Sequence, residues 1–428
     1  MRTTLVPYLK AIVQRSRSSA LIKNTTTAVS GQGLNIGVQG LYFVLLARAL
    51  GPQEYGAYVT ILALSRIFAP FSGWGYGNIL VKNASRDPAK FRESWGTGLS
   101  VAVLGGGVFV VVVLIICKVL LHLGIAVAAI LLISFADLVF AQTQTLSQQA
   151  YQSFGRLTRF VQIQNGASVL RLLGAGLMLV LVHAPTALVW SWLYFLTGMV
   201  PAILGVVLVN RELGHYVLGL RLTRPEVTEG FYFSFALASY TIDNDIDKTL
   251  LASLGSLGAA GLYTAAYRFV DVAFIPINGL LISSYPDFFK QGAAGIRGSR
   301  NWALKLLPWA AAYGSLAAIA LFAMAGLIPF VLGIEYARTP EMLRWLSPLI
   351  LLKSVEFFIA NVLTGSGYQG VRTVIQGAIA LVNVALCLWL IPTIGWLGAA
   401  LASVAADGVG VIAFSMAVIV LARQHGHG

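Results

Sequence analysis

An all-α polytopic membrane protein is the fold class the sequence predicts, with about twelve transmembrane helices in two six-helix, pseudo-symmetric lobes around a central cavity. Three observations carry that prediction. The 428 residues are 57% hydrophobic and only 11% charged, against roughly 25% charge in a soluble domain, and mean hydropathy is +0.80. Apolar stretches close to the ~20 residues needed to span a hydrocarbon core recur along the whole chain. The longest polar connector, residues 210–229, falls near the middle and divides the pattern into halves.

Taken in order, residues 1–23 carry Arg2, Lys10, Arg15, Arg17 and Lys23. No uninterrupted apolar core precedes a small-residue cleavage site, so the segment reads as a basic cytoplasmic lead-in rather than a signal peptide. The hydropathy pattern predicts an N-lobe over 24–209, with helices at 24–47, 57–81, 95–119, 125–149, 160–182 and 186–209. A cytoplasmic linker over 210–229 follows, then a C-lobe over 230–421 and a tail over 422–428. The C-lobe helices are expected at 230–254, 258–285, 304–330, 342–365, 373–391 and 396–421. With the N-terminus inside, lysine and arginine of inner segments outnumber those of outer loops by about twenty to four, which places both termini in the cytoplasm. The net charge of +13 is accounted for by that asymmetry, and no nucleic-acid partner is implied.

An internal echo supports two halves. Leu50-Gly51 is followed by Gly56-Ala-Tyr58, and Leu254-Gly255 by Gly261-Leu-Tyr263. Each joins the first helix of its half to the second on the outer side, as halves related by an axis along the membrane normal would.

Charge inside the predicted helices marks the functional region. A charge at the bilayer centre costs roughly 2.5–3.5 kcal/mol on insertion scales, so such residues face a bundle interior or a hydrated cavity. Arg66, Arg171, Lys248, Arg268 and Lys353 fall there, with Asp137, Asp243, Asp245, Asp247, Asp271, Glu356 and Asp407. The seventh helix is the most heavily charged. Asp243 and Asp247, four apart, share one face, where burial and like charge favour a protonatable or cation-binding site. Asp245 and Lys248, three apart, share another face; they form a neutralising pair unless Lys248, close to the outer end, extends to the headgroups. Arg268 with Asp271 and Lys353 with Glu356 repeat the three-residue spacing, as interhelical glue or as ligand groups. Arg66 and Arg171 have no carboxylate three or four residues away. A guanidinium fork at that depth suits a phosphate bidentately, the alternative being a partner such as Asp137 across the bundle.

The first helix carries Asn24, Gln32, Asn35 and Gln39 among Gly31, Gly33, Gly37 and Gly40. Small residues there fit close helix approach and bending. Gln142, Gln144, Gln148, Gln149 and Gln152 form a polar run on the fourth helix, either lining a sugar-accepting vestibule or making an interfacial polar end. Cys117 and Cys387 lie in or at the end of apolar runs, so no disulfide framework is expected. Neither a His-x-x-x-His pair nor a P-loop is present, and the chain is read as no enzyme, without catalytic residue, metal or cofactor.

At four places the sequence resembles the polysaccharide-transporter branch, the Wzx-type O-antigen flippases, of the multidrug/oligosaccharidyl-lipid/polysaccharide (MOP) exporter superfamily. They are Leu46-Ala-Arg-Ala-Leu-Gly-Pro-Gln-Glu-Tyr-Gly-Ala-Tyr58, the stretch from Asp247-Lys248 to Arg268, Leu332-Gly-Ile-Glu-Tyr-Ala337 with Leu343-Arg-Trp-Leu346, and Ile391-Pro-Thr-Ile-Gly-Trp-Leu-Gly-Ala-Ala-Leu401. The resemblance implies MATE-like lobes, alternating access, and a lipid-linked oligosaccharide carried on undecaprenyl diphosphate. It further implies a bacterial or archaeal cytoplasmic (inner) membrane and a place in O-antigen, capsule or exopolysaccharide assembly, beside polysaccharide polymerase and chain-length machinery. In the related lipid II flippases, arginines on the second and eighth helices engage the diphosphate, and Arg66 and Arg268 stand on those helices here. Arg66, Arg171, Arg268 and Lys353 are therefore the candidate ligands for diphosphate and sugars. Asp137, Asp243, Asp247, Asp271 and Glu356 are candidate cavity carboxylates for coupling to H+ or Na+. One departure stands out: embedded charge in the second half is predominantly acidic, so the cavity is not uniformly positive. A MATE-like cation-coupled drug or metabolite antiporter is the first rival; it would need a first-lobe coupling carboxylate, the first helix has none, and Asp137 is the only candidate in the first half. A membrane glycan polymerase or ligase is the second, and the large outer loop it would need is missing.

Overall fold

The computed structural model describes residues 5–217, 219–293 and 295–424, with side-chain surroundings from Gly33 onward except at 229, 236, 240 and 286. Arg2, the side chains of Lys10, Arg15, Arg17, Lys23, Asn24 and Gln32, the surroundings of Gly31, and residues 425–428 of the expected tail lie outside the described residues. Every regular element among those described is helical.

The first helix, α1 (Leu5–Ser72), contains what the sequence pattern divides into two helices and a loop. The chain turns at Gly51, with φ 65° and ψ 171°, and resumes at once as helix at Pro52. Proline suits a first helical position because its missing N–H would have no partner there. Glycine is required at 51 by the positive φ, which side chains with a Cβ rarely adopt. Beyond a turn follow α2 (Tyr76–Arg86), α3 (Phe91–Ile115), α4 (Val127–Phe135), α5 (Ala141–Ser153), α6 (Leu157–Leu181) and α7 (Ala187–Glu212). A wide π turn, Ala136–Phe140, joins α4 to α5 and carries Asp137. The second half comprises α8 (Arg224–Leu254), α9 (Leu257–Gly292), α10 (Ile296–Met324), the short α11 (Ile328–Leu332) and α12 (Thr339–Leu346), then α13 (Pro348–Gly365), α14 (Gln369–Ile394) and α15 (Trp396–Gln424).

Ten stretches of the described chain are long and apolar enough to cross a membrane. α8, which carries Asp243, Asp245, Asp247 and Lys248, is not among them, and the first stretch contains two passes joined at Gly51. With the divided stretch and α8 counted, the ten become the twelve helical passes the hydropathy pattern predicts.

The chain forms two compact units. Unit 1 comprises Met1–Leu46, Phe71–Val111 and Leu131–Phe233; unit 2 comprises Ala47–Pro70, Val112–Ile130 and Ser234–Gly428. In unit 1, α5 packs on α2, α6 and α7, and α6 on α7. Its core gathers the fully buried Phe91, Trp95 and Tyr151, and the Trp95 indole N–H donates to Asn210 Oδ1 at 3.0 Å. The start of α8 also belongs here and is fixed by a capping box: Glu226 accepts from the Thr223 backbone N–H at 3.0 Å and from its hydroxyl at 2.9 Å. Asn83 of α2 donates to the other Glu226 oxygen at 3.0 Å. Burial alone would raise the Glu226 carboxyl, but these donors, with Lys82 nearby, hold it below the usual carboxylate range.

The expected close approach at the glycines of α1 is not found, because Cβ atoms at Gly33, Gly37 and Gly40 would meet nothing within 4 Å. Asn35 instead holds this part of α1 to α6, donating to Asn165 Oδ1 at 3.1 Å and to Ser168 Oγ at 2.9 Å. Gln142 and Gln149 press against Gly73 and Gly77, Gln144 and Gln148 are buried, and only Gln152 is exposed.

In unit 2, α13 packs on α9, α10 and α15, and α14 on α15. Lipid tails are as apolar as leucine, so these helices are held by van der Waals interlocking and by the few polar groups between them. Phe288, Phe358 and Phe414 fill the core without exposure. Both cysteines are free.

Candidate functional site

Unit 2 contains a small, partly open cavity bounded by α1 beyond Gly51, α9 and α8. Its two long walls are related by the internal echo. Val59, Leu62, Ala63 and Arg66 of α1 correspond, at the chain separation that relates Gly56 to Gly261, to Thr264, Tyr267, Arg268 and Asp271 of α9, and all eight line the cavity. The two helices meet reciprocally just above it. A Cβ on Gly56 would fall 1.7 Å from the Leu257 carbonyl oxygen, and one on Gly261 would fall 2.0 Å from that of Pro52, the residue corresponding to Leu257. The repeated motif is therefore a contact of two like surfaces, possible only where both helices lack a side chain.

α8 breaks the symmetry by adding Asp245 and Lys248 to the lining. Lys248 does not extend to headgroups; it is 6% exposed, donates to Asp245 Oδ1 at 2.7 Å and to the Asn244 carbonyl, and lies 4.1 Å from the Tyr267 ring centre. Its charge is spent inside the protein. The two arginines keep more access to the cavity, although Arg268 also hydrogen-bonds Tyr55 and both act on Asp245. Arg66 is exposed, and Arg268 faces Asp271 at 3.7 Å with side chains 31% and 51% accessible. A pair so open is worth roughly 0–1 kcal/mol. An anion entering the cavity can displace it and use both guanidinium forks.

Behind Tyr267 lies a second, drier constellation. Lys353 of α13 sits 5.9 Å from the centre of the same Tyr267 ring and donates to Asn244 Oδ1 at 2.7 Å. It pairs with Asp407 of α15 at 3.7 Å, a partner 54 positions from it that the local Lys353–Glu356 spacing does not reveal. Asn383 of α14 donates to the Asp243 carbonyl at 3.0 Å and to its carboxylate at 3.4 Å. Glu356, 6% exposed, packs against the bare backbone of Gly410 and feels the charges of Asp407, Asp243 and Lys353. Asp247 is wholly enclosed: Tyr263 donates to Oδ2 at 2.8 Å, Ser403 to the same oxygen at 3.0 Å, and the Lys248 N–H to Oδ1 at 2.8 Å. Three donors and no accessible surface make Asp247 a pin between α8, α9 and α15.

Asp137 and Arg171 belong to unit 1. Tyr194 of α7 donates to Asp137 Oδ1 at 2.5 Å, and the Arg171 guanidinium stacks 4.8 Å from the Tyr194 ring centre. Asp137 and Arg171 thus converge on one tyrosine. Of the nine candidate residues, the structure brings Arg66, Arg268 and Asp271 to the cavity of unit 2, and Asp243, Lys353 and Glu356 to the constellation behind it. Sequence reasoning passed over Tyr267, Asn244 and Asn383. A lone asparagine in the apolar run of α14 was the available signal for Asn383. Among the described residues no group of His, Cys, Asp and Glu is gathered to hold a metal ion.

No curated protein sequence matches this chain. Solved structures do. An inward-facing conformation of a multidrug resistance MATE family transporter of the MOP superfamily matches with a TM-score of 0.75 at 13% identity, covering 94% of this chain and 100% of that one. An outward-facing conformation of such a transporter gives 0.62 at 15% identity, over 94% and 96%. A MOP superfamily transporter from Pyrococcus furiosus, described by a binding pocket of reverse polarity, gives 0.61 at 14% identity, also over 94% and 96%. At such identities the likeness is one of fold, and it is the two-lobe MOP transporter fold. Sequence carries the family: residues 21–291, well over half the chain, match the model described as polysaccharide biosynthesis protein, and the chain belongs to that family.

Proposed function

We propose that this protein is a flippase that moves a lipid-linked oligosaccharide, carried on undecaprenyl diphosphate, from the cytoplasmic to the outer leaflet by alternating access. The observation that carries the reading is the cavity in which Arg66 and Arg268, on helices related by the internal echo, bring two guanidinium groups together inside a membrane-spanning unit. A diphosphate offers the planar, multiply charged oxygens that such forks bind bidentately. Sugars would follow the headgroup while the polyprenyl tail stays in lipid. Membership in a polysaccharide biosynthesis family fits that cargo, and the transporter fold fits movement rather than chemistry on the glycan.

In this reading both termini are cytoplasmic, the membrane is the cytoplasmic membrane of a bacterium or archaeon, and the product feeds polymerase and chain-length machinery for O-antigen, capsule or exopolysaccharide. The 24–209 and 230–421 lobes supply the two rocking bodies, with Arg171 and Asp137 contributing from the first. An inside-negative potential favours outward passage of an anionic headgroup by roughly 2.3 kcal/mol per charge per 100 mV. The test is complementation of a flippase-null strain, scoring surface polymer and accumulated lipid-linked oligosaccharide. Wild type should restore polymer, and Arg66→Ala and Arg268→Ala at equal membrane abundance should not. Failure with several unrelated repeat units, together with drug resistance on expression, would replace this reading with the antiporter.

A further inference from the structure

We propose that the ammonium group of Lys353 is the built-in cation of the α8–α13–α15 constellation, occupying a position that an inorganic monovalent cation would otherwise take. The inference does not depend on which cargo the protein moves. Three observations support it. First, the acceptors around Nζ come from separate helices: Asn244 Oδ1 of α8 at 2.7 Å and Asp407 Oδ2 of α15 at 3.7 Å, with Lys353 itself on α13. Oxygen acceptors brought to one point by two different helices are the kind of ligand a hard cation takes. Second, acid outnumbers base. Asp243, Glu356, Asp407 and, on the next turn of α8, Asp247 face this region, against Lys353, Lys248, which acts on Asp243, and Arg372 of α14, which acts on Glu356. Third, the ammonium fits imperfectly. Asp407 is 4% exposed, yet its Oδ2 has no hydrogen bond, and 3.7 Å to Nζ is an ion pair beyond hydrogen-bond distance. A buried carboxylate oxygen left with acceptor capacity, aimed at a tethered charge, is the ligand a mobile cation would satisfy.

Lys353 is thereby withdrawn from the headgroup site, and it does not line the cavity of Arg66 and Arg268. The tether also has a functional meaning. A cation that is part of the chain cannot be exchanged between the two sides of the membrane, so this constellation holds its charge without drawing on a sodium gradient.

The experiment is thermal unfolding of the purified full-length protein in detergent, at equal ionic strength, in sodium chloride or choline chloride. Wild type, Lys353→Ala and Lys353→Met, which keeps most of the stem and removes the charge, are compared. The midpoint of wild type should be the same in both salts. Each variant should be destabilised in choline and should gain a saturable rise of several degrees with sodium, and adding Asp407→Asn should abolish that rise. A saturable sodium response in wild type overturns the proposal whether or not either variant folds. Variants that fold and ignore sodium overturn it as well, because the constellation would then accept protons rather than a mobile ion.

Discussion

Tyr263→Phe is the most informative small change in unit 2, because it removes one oxygen atom from the closed surroundings of Asp247. The carboxylate has no exposure and three donors, two of them on Oδ2: the Tyr263 hydroxyl at 2.8 Å and the Ser403 hydroxyl at 3.0 Å. A hydrogen bond to a charged group contributes about 1.5–3 kcal/mol, and the phenol cannot be replaced by water in a site without access, so Tyr263→Phe should cost that much. Ser403→Ala should cost a similar amount. The double variant should cost less than the sum, since the two hydroxyls share one oxygen and stand 3.3 Å from each other. Asp247→Asn is milder, at roughly 1 kcal/mol, because the carboxamide keeps one acceptor and both hydroxyls can turn to accept from its NH2. The assay is unfolding of the purified protein by heat or denaturant, paired with transport per folded molecule. Stability should fall least in Asp247→Asn, more in Tyr263→Phe and Ser403→Ala, and most in the double variant, while transport per molecule is retained. If Asp247→Asn keeps full stability and abolishes transport, Asp247 is a working coupling carboxylate and its description as a pin between helices is wrong.

Two further outcomes follow from the geometry. Gly56→Ala and Gly261→Ala each drive a methyl into a backbone carbonyl that cannot turn aside, at 1.7 and 2.0 Å, and should each cost about 1–3 kcal/mol in thermal unfolding. Gly37→Ala, with nothing within 4 Å, should be neutral or stabilising by up to about 1 kcal/mol, so equal losses at all three positions would contradict the close contact of α1 and α9. Glu226 should make the start of α8 acid-sensitive. Its folded carboxyl lies below the unfolded value, so its contribution is complete above the unfolded value and is lost as pH falls through the folded one. Glu226→Gln should flatten that part of a stability–pH curve and change nothing near neutrality beyond a constant offset, which a pH series of unfolding midpoints reads directly.

What was legible in the sequence was mostly local. The pairs Asp245–Lys248 and Arg268–Asp271 follow from three-residue spacing on a helix, and both form. The twelve passes follow from hydropathy, although the loop expected between the first two is absent, since one left-handed glycine followed by proline redirects a helix without unwinding it. The echo around Gly56 and Gly261 was visible, but not that its two copies press on each other, because a repeated motif states a likeness and not a contact. Lys353 was misdirected for the same reason. Its spacing points to Glu356, whereas its ion-pair partner Asp407 is on another helix and reached only through the fold. Glycines at 33, 37 and 40 formed a persuasive stripe, yet small residues permit close packing without compelling it. Grouping Arg66, Arg171, Arg268 and Lys353 as one ligand set required knowing their placement in space. Two of them line the cavity of unit 2, Lys353 lies behind it, and Arg171 belongs to unit 1.

The central claim, an anion site made by Arg66 and Arg268, is tested most directly by equilibrium binding of a polyprenyl diphosphate to the purified protein, with the corresponding polyprenol as the uncharged control. Losing one charge-assisted contact removes about 1.5–3 kcal/mol, so Arg66→Gln and Arg268→Gln should each weaken diphosphate binding by roughly 10- to 100-fold and leave binding of the polyprenol unchanged. Equal affinity for diphosphate and polyprenol, or full diphosphate affinity in both variants, would contradict the account.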